Sequence, residues 1–314
     1  MSRFKVSVII LSYNTKEILQ QCLKALFNSN GIENCQVVVV DNGSSDGSVE
    51  TIRNYQTPNP KFQINSNPPA GGPKVELIEN KKNLGFARGN NTARKIAGGK
   101  YVLFLNSDVI LEKDTTQKTL RYLEKHPEVG GVTCKLELPN HQLDKDTRRS
   151  FPTPWVALSH FSRIDQVFPK SSLFSKYWYG YLSENKIHKI DVAQGAYFLV
   201  RKDLLDQVDW FDPDYFLDGE DIDLCWKIKE AGWPIIYYPK AKAVHLKGAS
   251  KGKRGEVKRS FEQRKKFITA GVKSMEIFYN KRLKDRYPKI VTLTVINGIK
   301  IINTIRITRL KRET

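Results

Sequence analysis

The amino-acid sequence predicts an α/β protein with a mostly parallel central sheet flanked by helices and a helical extension at the C-terminus. Over residues 1–108, apolar β-branched runs alternate with amphipathic stretches, which is the pattern of parallel strands joined by crossover helices. The run YVLFLN, residues 101–106, is apolar enough to lie buried on both faces of a sheet. Beyond residue 251, cationic and apolar residues alternate as they do in an amphipathic helix.

The first half of the chain is predicted to alternate strands and helices. An amphipathic helix over 16–28 separates buried strands over 6–13 and 36–41, and this spacing predicts a right-handed parallel crossover. The other elements predicted here are a helix from 45–48 to 55, a strand over 75–79, a helix over 85–97 and the strand over 101–106. Residues 57–73 hold five prolines and two adjacent glycines, so we expect a surface loop there rather than a domain boundary.

The second half of the chain is predicted to be less regular. Its predicted elements are helices over 115–125, 202–207 and 220–231 and strands over 129–138, 191–200, 234–238 and 243–246. Residues 146–154, DTRRSFPTP, are too irregular to form an element of their own. Residues 155–181 are rich in aromatic side chains and predicted to be partly helical. Beyond residue 251 we expect helices, with a break at Pro288.

The composition is that of a folded globular protein whose positive charge is concentrated at one end. Of the 314 residues 40% are hydrophobic and 11% aromatic, and the formal net charge is +19. Residues 239–314 contain 22 Lys and Arg against 5 Asp and Glu, so the body of the chain is nearly neutral. A nucleic-acid-binding protein should spread cationic residues over its body or carry a recognised module, and the sequence shows neither. We therefore expect no nucleic-acid partner, although a basic nucleic-acid-binding protein stays as a less favoured alternative.

The cysteines and the N-terminus favour a reducing, cytosolic compartment. The four cysteines form no C-x-x-C pair and no zinc-site spacing, and each lies in an apolar-periodic stretch, so buried free thiols are expected. They are Cys22, Cys35, Cys134 and Cys225. The N-terminal residues MSRFKVSVIILSYN contain too short an apolar run for a signal peptide and are predicted to form a strand directly.

Polar side chains follow three predicted strands at the point where each strand ends. They are Ser12, Tyr13 and Asn14 after the first strand, Asp41, Asn42 and Gly43 after the second, and Asn106, Ser107 and Asp108 after the strand over 101–106. Any one group could simply form a turn, but the carboxyl ends of parallel strands meet at one crevice, where ligands bind. There Asp41 could accept hydrogen bonds from a base or ribose, and Asp108 could bind a divalent cation that straddles two phosphates. Neither G-x-G-x-x-G after the first strand nor G-x-x-x-x-G-K-[ST] occurs, which disfavours dinucleotide-binding and P-loop proteins.

A second group of acids begins the helix predicted over 220–231. The predicted inward stripe of this helix consists of Asp221, Leu224, Cys225, Ile228 and Ala231. Asp223 is predicted to point to solvent, and Glu220 lies at the edge of the stripe. An inward acid in a first turn is either held by helix N–H groups or lines a cavity. Four acids within 218–223 would repel one another unless some face a cation or a catalytic site, although acids at a helix start without any chemistry are the alternative.

Three further side chains are ambiguous from sequence. His245 ends the strand predicted over 243–246, where it is either a satisfied core residue or a ligand for a cation such as Mn²⁺. Arg148 and Arg149 could clamp a phosphate, but an exposed Arg pair is usually just solvated, and that is the expectation here.

With these residues in view, the chain resembles family 2 glycosyltransferases of the GT-A fold, particularly bacterial rhamnosyltransferase-like members. The resemblance extends from about residue 5 to residue 250. It rests on eight ordered blocks: VSVIILSYN, VVVVDNGSSDGS, NKKNLGFARGNN, YVLFLNSD, RRSFPTP, VAQGAYFLVRKDLL, GEDIDLCWKIKEAGW and AVHLKG. It implies a GT-A catalytic domain over 1–250, with a nucleotide-binding half over 1–108 and an acceptor half over 109–250. The remainder, 251–314, is then a basic amphipathic tail, and residues 155–181 become a lid or acceptor-side segment.

The resemblance also implies roles for individual residues. It assigns nucleotide-sugar binding to Ser12, Tyr13, Asn14, Asp41, Asn83, Gly85, Arg88, Asn106 and Ser107. Asn106-Ser107-Asp108 stands where the family has a D-x-D motif, so Asp108 becomes a ligand for Mg²⁺ or Mn²⁺, with His245 as a second ligand. The first acid of that motif is Asn here, which leaves metal affinity to Asp108, His245 and the diphosphate. Glu220-Asp221 matches the catalytic acid pair of the family, and Asp221 is the implied base.

The implied activity is inverting transfer of a sugar from a nucleoside-diphosphate donor to a glycan or polyprenyl-linked acceptor in cell-surface glycan synthesis. The branch resembled points to dTDP-L-rhamnose as donor, with UDP-hexoses as the alternative. A nucleotidylyltransferase would share the α/β half but needs a Gly-rich loop after the first strand, and SYNTKE stands there instead.

The basic tail is expected to meet an anionic membrane surface. Residues 290–307 are apolar on one helical face, but Asn297, Lys300, Asn303 and Arg306 interrupt the run, which favours an interfacial helix over a spanning one. Each Lys or Arg near an anionic leaflet contributes about 1 kcal/mol. We expect peripheral attachment to the inner face of a bacterial plasma membrane, and the alternative is an ordinary helix packed on the catalytic domain.

Overall fold

The computed structural model describes residues 4–56, 74–247 and 261–312. The loop predicted over 57–73 and the predicted domain boundary at residue 250 lie outside the described residues. The strands are β1 Phe4–Ser12, β2 Cys35–Asp41, β3 Lys74–Glu79, β4 Gly99–Asn106, β5 Val109–Leu111, β6 Gly131–Glu137, β7 Arg148–Arg149, β8 His188–Ile190, β9 Val192–Ala193, β10 Tyr197–Arg201 and β11 Ile235–His245. The helices are α1 Lys16–Phe27, α2 Ser48–Gln56, α3 Phe86–Asn91, α4 Thr115–Lys125, α5 Pro154–Phe161, α6 Ile164–Val167, α7 Lys202–Gln207, α8 Glu220–Glu230, α9 Phe261–Phe278 and α10 Lys289–Arg312.

Nine of the described strands form one central sheet. Its order is β3-β2-β1-β4-β10-β6-β11-β5, and β8 pairs with β11. The part formed by β3, β2, β1 and β4 is wholly parallel, as predicted from the alternation of apolar runs and helices. Beyond β4 the sheet is mixed, because β10 runs antiparallel to both β4 and β6 whereas β6 and β11 are parallel. The carboxyl ends of β2, β1 and β4 therefore lie side by side at one edge.

Helices cover both faces of this sheet, which explains why its central strands β1, β2 and β4 are mostly apolar and are buried along most of their length. Alternate residues of β1 point to opposite sides, so that Val8 joins one core cluster and Ile9 the other. One cluster takes side chains from α1, α2 and α4, and the other takes side chains from α3, α7, α8 and α9. All four cysteines are buried free thiols, as predicted.

Three elements differ from the prediction. The helix expected over 85–97 stops at Asn91 and continues as turns. The strand expected over 191–200 is split into β9 and β10, because the backbone at residues 194–196 hydrogen-bonds outside the ladder. The two short strands expected over 234–238 and 243–246 form a single strand, β11, with a register shift between Tyr238 and Lys242.

The segment expected to be irregular, 146–154, contains a short strand. In it β7 pairs antiparallel with β9, and both of its arginines are buried. The expectation that Arg148 and Arg149 form an exposed, solvated pair is therefore wrong. Arg148 donates hydrogen bonds to the carbonyl oxygens of Leu182 and Ser183, which ties β7 to the segment that precedes β8.

The tail packs on α8, and its break near Pro288 lies where it was predicted. A short turn of π-helix after α9 carries Arg282, whose Nε and Nη2 atoms donate to the two carboxylate oxygens of Asp223 at 2.7 and 3.1 Å. Asp223 is fully buried, so the prediction that it points to solvent is wrong. An acid on that face of α8 is accommodated because the tail covers it with the Arg282 guanidinium and the segment before α8 contributes the hydroxyl of Tyr215.

The last helix, α10, leaves much of its apolar surface exposed. Ile290 is 69% exposed and Ile301 is 59% exposed. Within the described part of the chain, α10 is the one helix that is long and apolar enough to cross a membrane by length and composition, and 6% of its most apolar stretch is buried.

Candidate active site

The ends of β2, β1 and β4 are joined by buried side chains. Ser12 and Asp41 are direct neighbours across the parallel pair of β1 and β2. The Ser12 hydroxyl shares a hydrogen bond of 2.9 Å with the Thr15 hydroxyl, which donates to the Ser107 hydroxyl at 3.1 Å. All four residues are buried. The polar strand ends predicted from sequence are therefore brought together at one edge of the sheet.

Asp41 has one oxygen that is satisfied and one that is not. Its Oδ2 atom accepts hydrogen bonds from the backbone N–H groups of Gly43 and Ser44. Its Oδ1 atom is buried and has no hydrogen-bond partner among the described residues. Because a buried acceptor without a donor is costly, this oxygen suits a donor on a ligand, such as a base N–H or a ribose hydroxyl.

The loops after β1 and β2 are tied together by Asn14. Its Oδ1 atom accepts a hydrogen bond of 2.8 Å from the Ser45 backbone, and its own N–H donates to the Ser44 hydroxyl. Asn14 has a positive φ of 53°, a conformation that Asn tolerates better than most residues. Tyr13 and Asn14 are both half-buried beside the strand-end cluster.

Asn42, one of the polar residues predicted to follow the second strand, organises the turn that contains two predicted site residues, although the sequence predicted no individual role for it. Its Nδ2 atom donates to Asn83 Oδ1 at 3.0 Å and to the Gly85 carbonyl at 3.2 Å. Gly85 has a φ of 84°, and a Cβ there would lie 2.3 Å from the Phe216 carbonyl oxygen. The segment before α8 therefore rests directly on this turn. The Asn83 side chain and the Gly85 backbone thus fix the shape of this turn.

Arg88 lies at the periphery of this region. Its side chain is exposed, and its Nε atom donates to the Pro213 carbonyl at 2.8 Å. The guanidinium thus links α3 to the loop that leads into α8.

His245 lies between two buried carboxylates. Its Nδ1 atom is 2.7 Å from Asp144 Oδ2, and its Nε2 atom is 3.4 Å from Asp108 Oδ1. Although burial would lower the pKa of His245, the hydrogen bonds to Asp108 and Asp144 raise it to about 9. Asp144 also accepts from Lys247 Nζ at 2.6 Å, so this second carboxylate is itself held in place. Sequence reasoning identified Asp108 and His245 but missed Asp144.

Asp108 and His245 form a donor set that suits a divalent cation. The Asp108 Oδ1 atom is a ligand that Mn²⁺ and Mg²⁺ accept, and the His245 Nε2 atom that faces it would bind Mn²⁺ after giving up its proton. Asp144 would fix the ring orientation from the outer side, as carboxylates do for many metal-binding histidines. No group of three acidic, His or Cys side chains with metal-site geometry occurs in the described ranges, so a cation here would need oxygens from its substrate or from water.

Asp221 is held by three donors. Its Oδ2 atom accepts from Arg149 Nη2 at 2.5 Å and from the Gly195 N–H at 3.3 Å, and its Oδ1 atom accepts from the Ile222 N–H at 2.8 Å. Asp221 and Glu220 are both buried, and Asp221 lies on the inward side of α8 as predicted. Burial would lower the pKa of Arg149, but the adjacent Asp221 charge raises it well above its usual range. The guanidinium is thus permanently charged.

Backbone hydrogen bonds connect Asp221 to the strand-end cluster. The Gly195 N–H donates to Asp221, and the next residue, Ala196, accepts a hydrogen bond of 2.9 Å from the Asn106 N–H. Asn106 is the last residue of β4, two positions before Asp108. Asp221 is therefore linked to the end of β4 through the backbone of residues 195–196, where β9 and β10 are separated.

The family follows from a match over most of the chain. Residues 7–209 match the model of the family described as Glycosyl transferase family 2. The chain belongs to glycosyltransferase family 2. The region matched includes all the strand ends described above, together with Asp144 and Arg149.

Relatives of this glycosyltransferase are identical to it at about a quarter of the aligned positions. The rhamnosyltransferase WbbL of Escherichia coli K12 is 29% identical over 170 residues, an alignment that covers 51% of this chain and 60% of WbbL. The poly-β-1,6-N-acetyl-D-glucosamine synthase of Staphylococcus epidermidis is 23% identical over 236 residues, which cover 75% of this chain and 48% of the synthase. The chain thus spans about half to three-fifths of the length of these relatives.

A solved structure confirms the GT-A fold of the glycosyltransferase. The mannosyltransferase PcManGT from Pyrobaculum calidifontis, solved in complex with GDP-Man and Mn²⁺, superposes with a TM-score of 0.57. The superposition covers 99% of this chain and 74% of PcManGT at 19% sequence identity. The α/β architecture with a central sheet flanked by helices, predicted from sequence, is therefore confirmed.

Proposed function

We propose that this glycosyltransferase moves a sugar from a nucleoside diphosphate to an acceptor hydroxyl with inversion of configuration. The observation that carries the proposal is the hydrogen-bonded link between Asp221 and the end of β4 through the backbone of residues 195–196. An in-line displacement at an anomeric carbon needs a base on one side of a cleft and a diphosphate site on the other, and this link would hold the two sides together. WbbL, by its name a rhamnosyltransferase, supports dTDP-L-rhamnose as the donor, and UDP-hexoses are the alternative.

The nucleotide would lie across the ends of β2, β1 and β4. Asp41 would accept a hydrogen bond from the base or ribose through its unpartnered Oδ1 atom. The other residues proposed to line this part of the cleft are Ser12, Tyr13, Asn14, Asn83, Gly85, Arg88, Asn106 and Ser107. PcManGT was solved with a nucleotide sugar, which supports a donor of this class for the present chain.

A divalent cation held by Asp108 and His245 would neutralise the charge that develops on the departing diphosphate. The PcManGT structure contains Mn²⁺, which supports the choice of Mn²⁺ or Mg²⁺. Replacement of Asp108 by Asn should abolish Mn²⁺ binding measured by electron paramagnetic resonance. Unchanged Mn²⁺ affinity in that variant would remove Asp108 from the proposed ligand set.

Asp221 would act as the base. The acceptor hydroxyl would pass its proton to the Asp221 carboxylate while its oxygen attacks the anomeric carbon from the face opposite the diphosphate. Arg149 and the Gly195 N–H hold the carboxylate in one orientation, which spares the reaction the cost of ordering it. General-base assistance of this kind is worth roughly 10²–10⁴ in rate.

The test begins with a thermal-shift screen of nucleotide sugars with Mn²⁺ or Mg²⁺, because a ligand that binds only the native state raises its Tm. With the donor identified, Asp221→Asn should lower kcat by roughly 10²–10⁴ while donor binding is retained. Asp209→Asn is the matched control, because the Asp209 side chain is 80% exposed. Near-parental turnover of Asp221→Asn would contradict the proposed base.

The acceptor is proposed to be a glycan or a polyprenyl-linked sugar, presented at the inner face of a plasma membrane. The exposed apolar residues of α10 and the cationic residues around them support a peripheral contact with an anionic leaflet. In the full chain, Leu293→Ser with Ile301→Ser should weaken flotation with vesicles that contain phosphatidylglycerol. Flotation equal to that of the parent would leave α10 without this role.

A further inference from the structure

Large hydrophobic side chains are exposed at two places on this glycosyltransferase. One is α10, and the other is the segment 154–174, here called the apolar protrusion. The exposed hydrophobic residues of the apolar protrusion are Trp155, Leu158, Phe161, Val167, Phe168 and Leu173. Elsewhere in the described ranges, only Ile96 and Ile187 are large hydrophobic residues with comparable exposure. Such a concentration marks an interaction surface rather than scattered surface residues.

The apolar protrusion is internally packed, so its outward side chains have fixed positions. The Trp155 indole N–H donates to the Leu173 carbonyl at 3.1 Å and thereby joins the two ends of the segment. Phe174 lies between Trp155 and Phe168, with ring centroids 5.9 and 5.3 Å away. Ser175 donates to the Asp165 carbonyl at 2.8 Å, which ties α6 to the returning chain.

The charges of the apolar protrusion are of one sign at its surface. Among residues 154–176, all of which the structure describes, the acid is Asp165, and it is buried against His160. Arg163, Lys170 and Lys176 are exposed. Trp, Phe and Leu side chains next to Lys and Arg, without exposed acid, match the interface of an anionic phospholipid leaflet, where apolar groups enter the acyl region and cations meet the headgroups.

The base of the apolar protrusion adjoins the proposed reaction centre. The segment begins five residues after Arg149, which holds Asp221, and the Ser150 N–H donates to the Tyr177 carbonyl at 2.8 Å. Phe151 packs on Trp226 of α8 with ring centroids 4.6 Å apart. A membrane contact made by this segment would therefore bring the acceptor side of the cleft to the leaflet surface.

We propose that the apolar protrusion inserts its exposed side chains into an anionic phospholipid leaflet and forms a membrane contact separate from α10. The partner is the bilayer itself. The inference deepens the proposed function, because an acceptor carried by a lipid would then meet the cleft at the membrane surface. Its test measures membrane contact without any transfer reaction, so that a failure of this inference is distinguishable from a failure of the proposed activity.

The first measurement uses Trp155 as a probe in the full chain. Vesicles of phosphatidylcholine and phosphatidylglycerol with brominated acyl chains should quench part of the tryptophan emission. The variant Trp155→Phe should still float with the vesicles but lose that quenching, because the other indoles lie outside the apolar protrusion. Identical quenching in parent and Trp155→Phe would overturn the proposal.

The second measurement removes apolar surface from the apolar protrusion and leaves α10 intact. Leu158→Ser, Val167→Ser and Phe168→Ser combined should weaken partition into the phosphatidylglycerol vesicles by about tenfold or more, since each side chain would lose its insertion. The matched control is Ile96→Ser with Ile187→Ser, which should partition like the parent. An unchanged Tm would show that the exposed substitutions leave the fold intact.

In this second measurement, flotation of the triple variant equal to that of the parent would overturn the proposal. If light scattering then showed a dimeric parent and a monomeric triple variant, the surface would be assigned to a second copy of the chain.

Discussion

Replacement of Arg149 by Met should destabilise this glycosyltransferase more than the loss of an exposed ion pair does. The Arg149 and Asp221 side chains are 11% and 10% exposed, and their closest atoms are 2.5 Å apart. The substitution keeps most of the side-chain volume but leaves the Asp221 carboxylate buried without its cation. Two weaker backbone donors, at Gly195 and Ile222, would remain.

The magnitude follows from the burial of the pair. Removing one partner of a buried ion pair costs about 3–5 kcal/mol, because the remaining charge has been taken out of water without compensation. Arg149 also acts on a second acid, Asp146. Burial would raise the pKa of Asp146, but the charges of Arg149 and Lys247 lower it to about 2. Because the substitution removes this favourable interaction as well, we expect a loss near the upper end of that range.

Urea denaturation followed by circular dichroism measures the change in the free energy of unfolding. The matched control is Arg53→Met, since Arg53 and Glu79 also form an ion pair, at 2.8 Å, but their side chains are 55% and 46% exposed. Exposed pairs contribute about 0–1 kcal/mol, so the two arginine variants should differ severalfold. A loss below about 1 kcal/mol for Arg149→Met would refute the argument from burial.

Three further predictions follow from contacts described above. In the metal-free chain, the pKa of His245 is raised from 6.5 to about 9, so its contribution to stability is complete below pH 6.5 and is lost as the pH rises through about 9. Urea denaturation over this interval in EDTA should show a fall of about 3 kcal/mol that His245→Gln abolishes; an equal fall in that variant would contradict the assignment. Gly85→Ala should lower the free energy of unfolding by more than about 1–3 kcal/mol, which is the cost expected from the positive φ alone. The added loss is expected because the new Cβ would also collide with the Phe216 carbonyl oxygen. Gly232→Ala, where φ is similar and no atom lies within 4 Å, isolates the backbone cost, and equal losses at both glycines would show that the close contact is relieved. Arg282→Met should destabilise the chain by about 3–5 kcal/mol and speed hydrogen exchange in α9, whereas unchanged exchange would show that the ion pair does not hold the tail.

The parallel half of the sheet was predictable because its signals are local. Buried strands on both faces must be continuously apolar, and the polar residues that follow them in sequence mark the sheet edge directly. Ser12, Asp41 and Ser107 were therefore identified from three short runs, and the structure brings them together. Whether they bind the nucleotide stays a prediction.

The partners of the charged groups were not predictable, because they are distant in sequence. Arg149 and Asp221 are 72 residues apart, and Asp144 and His245 are 101 residues apart. An Arg or Asp in an irregular segment carries no local sign of burial, so such residues are interpreted as solvated. Asp223 was misplaced for the same reason, since the guanidinium that covers it comes from the tail.

Phe278 at the end of α9 packs on Trp226 of α8, and Trp226 in turn packs on Phe151. Deletion of the tail would therefore uncover part of α8. A chain cut before residue 261 would leave α8 with a partly uncovered Trp226 indole and with the Asp223 carboxylate without its guanidinium. The C-terminal extension therefore supports α8 from its outer side, whatever surface the extension itself contacts. Truncation would therefore lower turnover and solubility together. Loss of membrane binding in a truncated enzyme would then not distinguish a missing lipid contact from a disturbed fold.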